Sequence, residues 1–346
     1  LHLHLHLHLH LHLHLHLHPH ATLRDRRHSP GYPDCRHARC PARHRARMNL
    51  RDLPLPLRTP APDAAWRALV AAAAAPYRRA GRFAWHYARA KLAHDPVFRA
   101  LVERADVRGE LHGGPRADAG ADVRGARVVD IGCGQGLVAS LLQASDDAAR
   151  HGRWPAEWPA PPRAASYLGI ERMPRDVARA EAALAGLALA PQWRCADMRA
   201  TTLPPCDLVL ILDVLHYVDH AAQAAVLARA RDALHRGRDS ARERETRPGR
   251  AEPPYNALRQ APSGARLLLR IGDAADRARF AASQWVDRVV TRGRGHRVAP
   301  TWGRPLADWL ALLRALGFAV QALPMSRGTP FANILLVADL GPGTPA

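Results

Sequence analysis

The segment that most constrains the fold of this chain reads RVVDIGCGQG, at residues 127–136. An apolar run ends at Asp130, glycines follow at positions 132, 134 and 136, and an apolar helical pattern begins directly afterwards. This order predicts a buried strand, a tight glycine turn and the start of a helix. Because glycine has no Cβ, such a turn can bring its backbone directly against a ligand. The helix that follows would offer unpaired N–H groups at its N-terminus.

Two kinds of cofactor are bound by turns of this form, and the spacing of the glycines separates them. The dinucleotide-binding fingerprint has glycines at the first, third and sixth positions. Here the glycines take the first, third and fifth positions, two residues after Asp130. This D-x-G-x-G-x-G pattern resembles motif I of the class I S-adenosylmethionine-dependent methyltransferases. The resemblance implies that Asp130, Gly132, Gly134 and Gly136 bind S-adenosylmethionine, with the loop under its methionine part.

Acidic residues also follow the next strands of the pattern. The apolar run at 166–171 ends in Glu171, whose carboxylate could accept hydrogen bonds from both ribose hydroxyls. A third strand is expected at 192–198, and the resemblance implies that Asp197 bonds the adenine amino group while the N–H of Met198 meets the ring. Both acids could instead be ordinary strand-end residues, since such residues are common in turns. Their joint placement after successive strands favours ligand contacts.

The order of the remaining elements predicts the fold class. Strand and helix alternate five times, and the fourth strand, at 207–213, is continuously apolar, as expected of a central parallel strand. A pair of strands at 318–323 and 333–339 closes the chain. We therefore expect an α/β fold with a Rossmann-like, seven-stranded, mostly parallel sheet, an antiparallel last strand and helices on both faces. Asp213, at the end of the fourth strand, is a further candidate cofactor ligand.

Two segments outside this core are candidates for binding the methyl acceptor. The first, at 62–105, reads as an N-terminal helical cap over the cofactor cleft and carries Lys91, the only lysine of the chain. Lys91 could bind an anionic acceptor or be an ordinary surface lysine. The second segment, at 274–304, combines a helix with a basic loop at 292–297. That loop suits a carboxylate or phosphate on the acceptor, or forms a solvated rim.

Candidate catalytic residues come from the chemistry of methyl transfer to oxygen, which also requires removal of a proton. A histidine can take that proton at neutral pH because its pKa lies near 6.5. His216 directly follows the fourth strand and is the first candidate base, and the alternative is a packed residue in the first turn of a helix. His296 is the second candidate. No His-Glu-x-x-His motif or acidic metal cluster is found, so no metal is expected.

The composition of the ends and insertions predicts the domain organisation. Residues 1–47 include nine Leu-His repeats, and we expect a disordered, low-complexity tail that is not native to the protein. The cap and its linker would occupy 48–124, and the methyltransferase domain 125–340. Within that domain, residues 236–263 are arginine-, proline- and acid-rich and are expected to be a disordered surface insertion.

Charge and cysteine content indicate the cellular setting. Residues 1–47 contribute +6 and residues 236–260 contribute +3 to the net charge of +19, and both segments read as solvated appendages. The charge is therefore weak evidence for a nucleic-acid partner, and we expect none. An apolar run of the length of a membrane span is missing from the sequence, and therefore no span is expected. Three of the five cysteines fall in apolar strands or in the glycine loop, which is typical of reduced thiols and a cytoplasmic protein.

These observations predict S-adenosylmethionine-dependent methyl transfer to a small or carrier-bound organic acceptor. The Trp-Pro pairs at 154–155 and 158–159 and the Asp-Val-Leu-His-Tyr segment at 213–217 are similar to those of bacterial enzymes of secondary-metabolite or pigment assembly. This similarity implies an aryl or polyketide-like acceptor. The alternatives are an NAD(P)-dependent oxidoreductase and a non-catalytic S-adenosylmethionine- or RNA-binding protein. The glycine spacing and the closing pair of strands disfavour the oxidoreductase.

Overall fold

The computed structural model describes residues 63–108, 125–245, 265–281, 283–285, 301–326 and 331–341. Its centre is a seven-stranded sheet with the strand order β3-β2-β1-β4-β5-β7-β6. Strands β1 to β5 are parallel, and β7 runs antiparallel to both β5 and β6, which confirms the predicted fold class. The strands are β1 (Ala126–Ile131), β2 (Ala164–Glu171), β3 (Gln192–Cys195), β4 (Leu208–Leu212), β5 (Arg266–Gly272), β6 (Phe318–Pro324) and β7 (Asn333–Leu340).

Helices precede the sheet and connect its strands. Short 3-10 turns lie at Ala75–Arg78 and Leu215–Tyr217, and residues 277–281 and 283–285 are helical within the segment predicted to lie on the acceptor side. The α-helices are α1 (Ala64–Ala74), α2 (Arg82–His94), α3 (Pro96–Glu103), α4 (Ala105–Arg108), α5 (Leu137–Arg150), α6 (Pro174–Leu184), α7 (His220–Glu245) and α8 (Leu306–Ala315). None of these described helices combines the length and the apolar character that a membrane span needs.

Each face of the sheet is covered by its own apolar core. Neighbouring residues of β1 point to opposite faces, so Val128 belongs to one core and Val129 to the other. Helices α7 and α8 cover the Val129 face. Helix α5 and the N-terminal helices α1 to α3 cover the Val128 face, with Trp66 and Leu92 fully buried there. The N-terminal helices are therefore part of the main hydrophobic core and not only a cap over the cleft.

Helix α7 corrects the expectation of a disordered insertion at 236–263, because it continues to Glu245. Gly237 explains the continuation: a Cβ there would overlap the carbonyl oxygen of Cys206, so the glycine lets the helix approach the start of β4 closely. The Arg127 side chain donates to the Gly237 carbonyl oxygen at 2.8 Å, and Arg236 donates to that of Leu203 at 2.8 Å. Tertiary contacts thus hold the first residues of the proposed insertion in a helix.

Several sequence-based expectations fall outside the described residues. These are the tail at 1–47, the remainder of the insertion from residue 246 onward, and the basic loop at 292–297 with His296. Within the predicted segment at 274–304, the described residues 277–281 and 283–285 are helical, as predicted.

A buried ion pair joins the N-terminal helices to the sheet. The guanidinium of Arg270, in β5, bonds the carboxylate of Asp95, which lies between α2 and α3, and both side chains are 4% exposed. Burial alone would raise the pKa of Asp95, but the positive charges of Arg270 and Lys91 outweigh that effect and lower the pKa well below its ordinary value. Asp95 also caps α3 by accepting a bond from the Val97 N–H. One carboxylate therefore fixes two helices to the sheet.

Replacing Asp95 by Asn is expected to lower the free energy of unfolding by about 3–5 kcal/mol, because it removes the buried carboxylate that neutralises Arg270. Asparagine is as good an N-cap as aspartate, so the loss of stability measures the effect of removing the negative charge and not the effect of removing the cap. The control is Glu103→Gln, which breaks a partly exposed pair with Arg99 and should cost less than about 1 kcal/mol. Urea unfolding of both variants checks this, and equal losses would contradict the role given to the buried pair.

Candidate functional site

The candidate site lies at the carboxyl ends of the parallel strands. Strand β1 pairs with β2 on one side and with β4 on the other. The chain therefore builds the sheet outwards from β1 first on one side and then on the other, and the strand order reverses at β1. In α/β sheets, the crevice at such a switch point is where ligands bind. The glycine loop after β1, Glu171 at the end of β2 and Asp213 after β4 all border this crevice.

The three glycines of the loop have positive φ angles, 74° at Gly132, 56° at Gly134 and 75° at Gly136. A Cβ on Gly132 would overlap Val214, and one on Gly136 would overlap the ring of Trp193. A Cβ on Gly134 would meet no atom within 4 Å. Two glycines are thus required by the packing of the protein itself, while Gly134 faces open space. That open backbone surface fits a cofactor lying against the loop.

Contacts from strand β2 and from the N-terminal 3-10 turn Ala75–Arg78 hold the loop. The Gly132 N–H donates to the Ile170 carbonyl at 2.7 Å, and the Tyr77 hydroxyl donates to the Gln135 carbonyl at 2.8 Å. One oxygen of the Glu171 carboxylate accepts from the Gly134 N–H at 3.0 Å. The sequence did not predict Tyr77 as a support of the loop, because the two residues are 58 positions apart.

Glu171 is oriented towards the loop by a second bond, which its other oxygen accepts from the Met173 N–H at 2.8 Å. A carboxylate has about four acceptor positions, so two stay available for hydroxyl groups of a ligand. Burial raises the pKa of the Glu171 carboxyl above its ordinary value. This position, beside Gly134, agrees with the ribose contact predicted for Glu171, which stays a prediction.

Asp130 lies beneath the loop, and its side chain does not open into the crevice. It is 2% exposed and accepts a 2.5 Å bond from the hydroxyl of Tyr167. Burial raises the pKa of Asp130 to about 7, against the lowering effect of the Tyr167 hydroxyl. The structure therefore places Asp130 as a support of the loop. A direct cofactor contact by its carboxylate, as the sequence predicts, is not part of this geometry.

Asp197 and Met198 follow β3, at the end of the crevice beyond Glu171. The Asp197 carboxylate accepts bonds from the exposed Arg199 guanidinium, the closest at 2.7 Å, and its side chain is 27% exposed. These bonds with Arg199 lower the pKa of Asp197. An exposed ion pair of this kind contributes little stability, so the carboxylate can exchange partners at small cost. The adenine contacts of Asp197 and Met198 stay predictions.

Asp213 belongs to a cluster of charges that the sequence did not predict. Its backbone has a positive φ of 59°, rare for a residue other than glycine, and its Oδ1 lies 3.1 Å from Nε of Arg270. Arg270 in turn bonds Asp95, whose other oxygen lies 2.7 Å from Nζ of Lys91. The available signal was Arg270 itself, since an arginine inside an apolar strand requires a partner. Lys91 is thus neither an isolated surface lysine nor an isolated anion site.

The other side of the crevice carries His216 and a group of aromatic side chains. His216 lies in the 3-10 turn after β4, with its Nε2 atom buried and its ring 4.1 Å from that of Tyr217. Its carbonyl oxygen accepts from the Trp302 N–H at 2.8 Å. Gln223, near the start of α7, donates to the Trp302 carbonyl at 2.8 Å. These bonds hold residues 301–303 beside the turn that contains the candidate base.

Comparison with known proteins identifies the domain that carries this site. Residues 129–237 match the sequence model of a methyltransferase domain family. This chain contains a methyltransferase domain. The match begins in β1, ends in α7 and spans the glycine loop, Glu171, Asp197 and Asp213.

Among solved structures, the pyocyanin biosynthetic protein PhzM is 16% identical with a TM-score of 0.43, over 77% of this chain and 61% of PhzM. The chain thus spans about three fifths of the length of that protein. Magnesium protoporphyrin IX methyltransferase from Synechocystis PCC 6803, solved with bound SAH, is 16% identical with a TM-score of 0.37, over 62% of this chain and 74% of that one. The mitomycin 7-O-methyltransferase MmcR is 21% identical with a TM-score of 0.38, over 80% of this chain and 67% of MmcR. No curated protein matches the sequence significantly.

Replacing Gly134 by Ala in this methyltransferase domain is expected to weaken binding of S-adenosylhomocysteine by at least about tenfold, since the added Cβ projects into the crevice. Gly186→Ala is the matched control: its φ is 77°, a Cβ there also meets no atom within 4 Å, and it lies in the turn after α6. Both variants should lose about 1–2 kcal/mol of stability for the positive φ. Calorimetry that gave both variants the same affinity would contradict the placement of the cofactor.

The raised pKa of Asp130 predicts a pH dependence of stability in the methyltransferase domain. The folded state binds the Asp130 proton up to about pH 7, whereas the unfolded state releases it near pH 4. The contribution of Asp130 to the free energy of unfolding is therefore fully present below pH 4 and is lost as the pH rises through 7. The loss amounts to at most about 1.4 kcal/mol per pH unit. Urea unfolding between pH 4.5 and 8 should show this slope in the wild type, and a smaller one in Asp130→Asn. Identical slopes would refute the assignment.

Proposed function

We propose that this chain transfers a methyl group from S-adenosylmethionine to a small or carrier-bound organic acceptor. The observation that carries the proposal is the fixed position of the Glu171 carboxylate beside Gly134, whose backbone is open to the crevice. A glycine loop alone would suit several nucleotides. A carboxylate at the end of the next strand, already oriented by two N–H donors, adds a site for a ribose.

The order of the strands supports an extended cofactor across the crevice. Asp197, Glu171, the glycine loop and Asp213 follow β3, β2, β1 and β4, which are neighbours in that order. Adjacent strands lie about 4.8 Å apart, so this row covers roughly 14 Å. Adenine would lie at Asp197 and Met198, the ribose at Glu171, and the amino-acid end between Gly134 and Asp213. The reactive sulfur would then lie close to the 3-10 turn that contains His216.

The aromatic residues on the acceptor side favour a planar, apolar acceptor. Tyr217, Trp285 and Trp302 are the exposed large hydrophobic side chains of the described residues, each more than 40% exposed. Trp302 is tied to the turn of His216 by a backbone bond, and Gln284, next to Trp285, bonds Thr301. Aromatic rings combine a large apolar surface with specific stacking geometry. An aryl or polyketide-like acceptor of secondary metabolism or pigment assembly would fit this surface.

The chemistry divides between cofactor and protein. S-adenosylmethionine, when bound, supplies a methyl group on a positively charged sulfur, which an acceptor attacks in line. The glycine loop and Glu171 would hold that methyl in place, and Trp302 and Tyr217 would orient the acceptor. Such positioning can contribute about 7–11 kcal/mol to lowering the barrier. His216 would take the proton of an acceptor hydroxyl, which typically increases the rate by about 10²–10⁴. His296 is the second candidate for this role.

The rival functions have less support. A dinucleotide-binding sheet has six strands in the order 3-2-1-4-5-6, whereas this sheet inserts an antiparallel β7 between β5 and β6. A nucleic-acid partner would use the basic segments at 236–260 and 292–297, most of which lie outside the described residues. Cys133, Cys195 and Cys206 are free thiols, which supports the proposal of a cytoplasmic protein.

Calorimetry tests the choice of cofactor: S-adenosylhomocysteine should bind at micromolar concentration, whereas NAD⁺ and NADP⁺ should not bind. The second step is transfer of a labelled methyl group to a panel of phenols and aryl carboxylic acids.

His216→Gln should lower kcat for a hydroxyl acceptor by about 10²–10⁴ without changing the affinity for S-adenosylhomocysteine. His151→Gln, an exposed residue after α5, is the control and should leave both unchanged. Binding of NAD⁺ in place of S-adenosylhomocysteine would refute the proposal.

A further inference from the structure

We propose that Lys91, on an N-terminal helix outside the matched methyltransferase domain, binds the carboxylate at the amino-acid end of S-adenosylmethionine. This inference rests on the proposed function and adds a binding residue to it. It assigns the N-terminal helices a direct part in cofactor recognition.

One face of helix α2 lies along the crevice. Phe83, Tyr87 and Lys91 are spaced by four residues and therefore lie on the same side of the helix. At one end, the Arg179 guanidinium of α6 lies 4.5 Å from the ring centroid of Phe83. At the other end, Lys91 bonds Asp95, and Arg270 links Asp95 to Asp213. The helix face thus extends from the element after β2 to the residue after β4.

The middle of this face lies close to the glycine loop. Tyr77 bonds the loop carbonyl of Gln135 directly. Helix α2 packs against the 3-10 turn Ala75–Arg78, which contains Tyr77. Lys91 follows Tyr87 by one helical turn towards β4. Its ammonium group is therefore placed on the side of the loop where the amino-acid end of the cofactor would lie.

The exposure of the charge cluster selects Lys91 as the group that meets a ligand. Arg270 and Asp95 are each 4% exposed and satisfy each other inside the protein. Lys91 and Asp213 are 28% and 33% exposed, so the two members of the cluster that reach the surface carry opposite charges. The amino-acid end of the cofactor also carries opposite charges, an ammonium and a carboxylate. Asp213 would face the ammonium and Lys91 the carboxylate.

Lys91 has the donors that this role requires. An ammonium group has three N–H donors, and Asp95 accepts from Lys91 at 2.7 Å, which leaves donors for a second acceptor. Other cations beside the crevice face its opposite end. Arg172 lies 3.9 Å from Asp197, and Arg179 bonds Asp176 at 3.0 Å on α6. A compact ammonium also suits a site that already contains the guanidinium of Arg270.

The test compares three ligands by calorimetry with the full chain and with Lys91→Met. The ligands are S-adenosylhomocysteine, its decarboxylated analogue, which keeps the amino group, and methylthioadenosine, which lacks the whole amino-acid end. The wild type should prefer S-adenosylhomocysteine to the decarboxylated analogue by roughly tenfold to a hundredfold, as expected of a charge-assisted hydrogen bond. Lys91→Met should reduce that preference to about threefold or less while binding methylthioadenosine as the wild type does.

Arg89→Met is the matched control, because Arg89 is an exposed cation on the same helix, two residues before Lys91. It should keep the full preference for the carboxylate. If Lys91→Met keeps that preference, or loses affinity for all three ligands equally, the role of Lys91 is refuted. If the wild type binds neither S-adenosylhomocysteine nor methylthioadenosine, the proposed function itself fails. The two failures are therefore distinguishable.

Discussion

The pairing of Arg270 with Asp95 is the interaction on which the arrangement of this protein depends. An arginine in the middle of a buried strand is tolerable only when a carboxylate neutralises it, and here that carboxylate comes from the junction of α2 and α3. The pair therefore sets where the N-terminal helices contact the sheet. It also positions Asp213, which lies against the other side of the Arg270 guanidinium. The cluster couples the helices outside the methyltransferase domain to the edge of its crevice.

The same helices support the glycine loop from a second direction. Tyr77 reaches the carbonyl of Gln135, and the Ser140 hydroxyl in α5 donates to the Ala73 carbonyl at 2.6 Å. On its other side, the loop contacts Glu171 and Trp193. A turn with three positive φ angles is easily deformed by itself, so these contacts account for its definite shape. The crevice is thus built jointly by the N-terminal helices and the sheet.

Sequence patterns were most reliable where local chemistry decides the structure. The seven strands and their order in the chain follow from apolar runs and glycines, and the predicted ends of β6 and β7 differ from the observed ones by one residue. The prediction failed for residues 236–245, where charge composition indicated disorder. Contacts of Gly237 with Cys206 and of Arg236 with Leu203 outweigh that composition, and no local pattern reveals them.

By itself, the sequence determined the fold class and the row of candidate residues along the strand ends, because alternation of strands with helices and a glycine turn are local signals. Only the tertiary structure decided how those residues are used. It turned Asp130 into the core against Tyr167, oriented Glu171 to Gly134 and brought Arg270 to Asp95. The physical reason is that the direction of a charged side chain depends on the partner it finds. Here Asp130 meets Tyr167 from 37 positions away, and Asp95 meets Arg270 from 175.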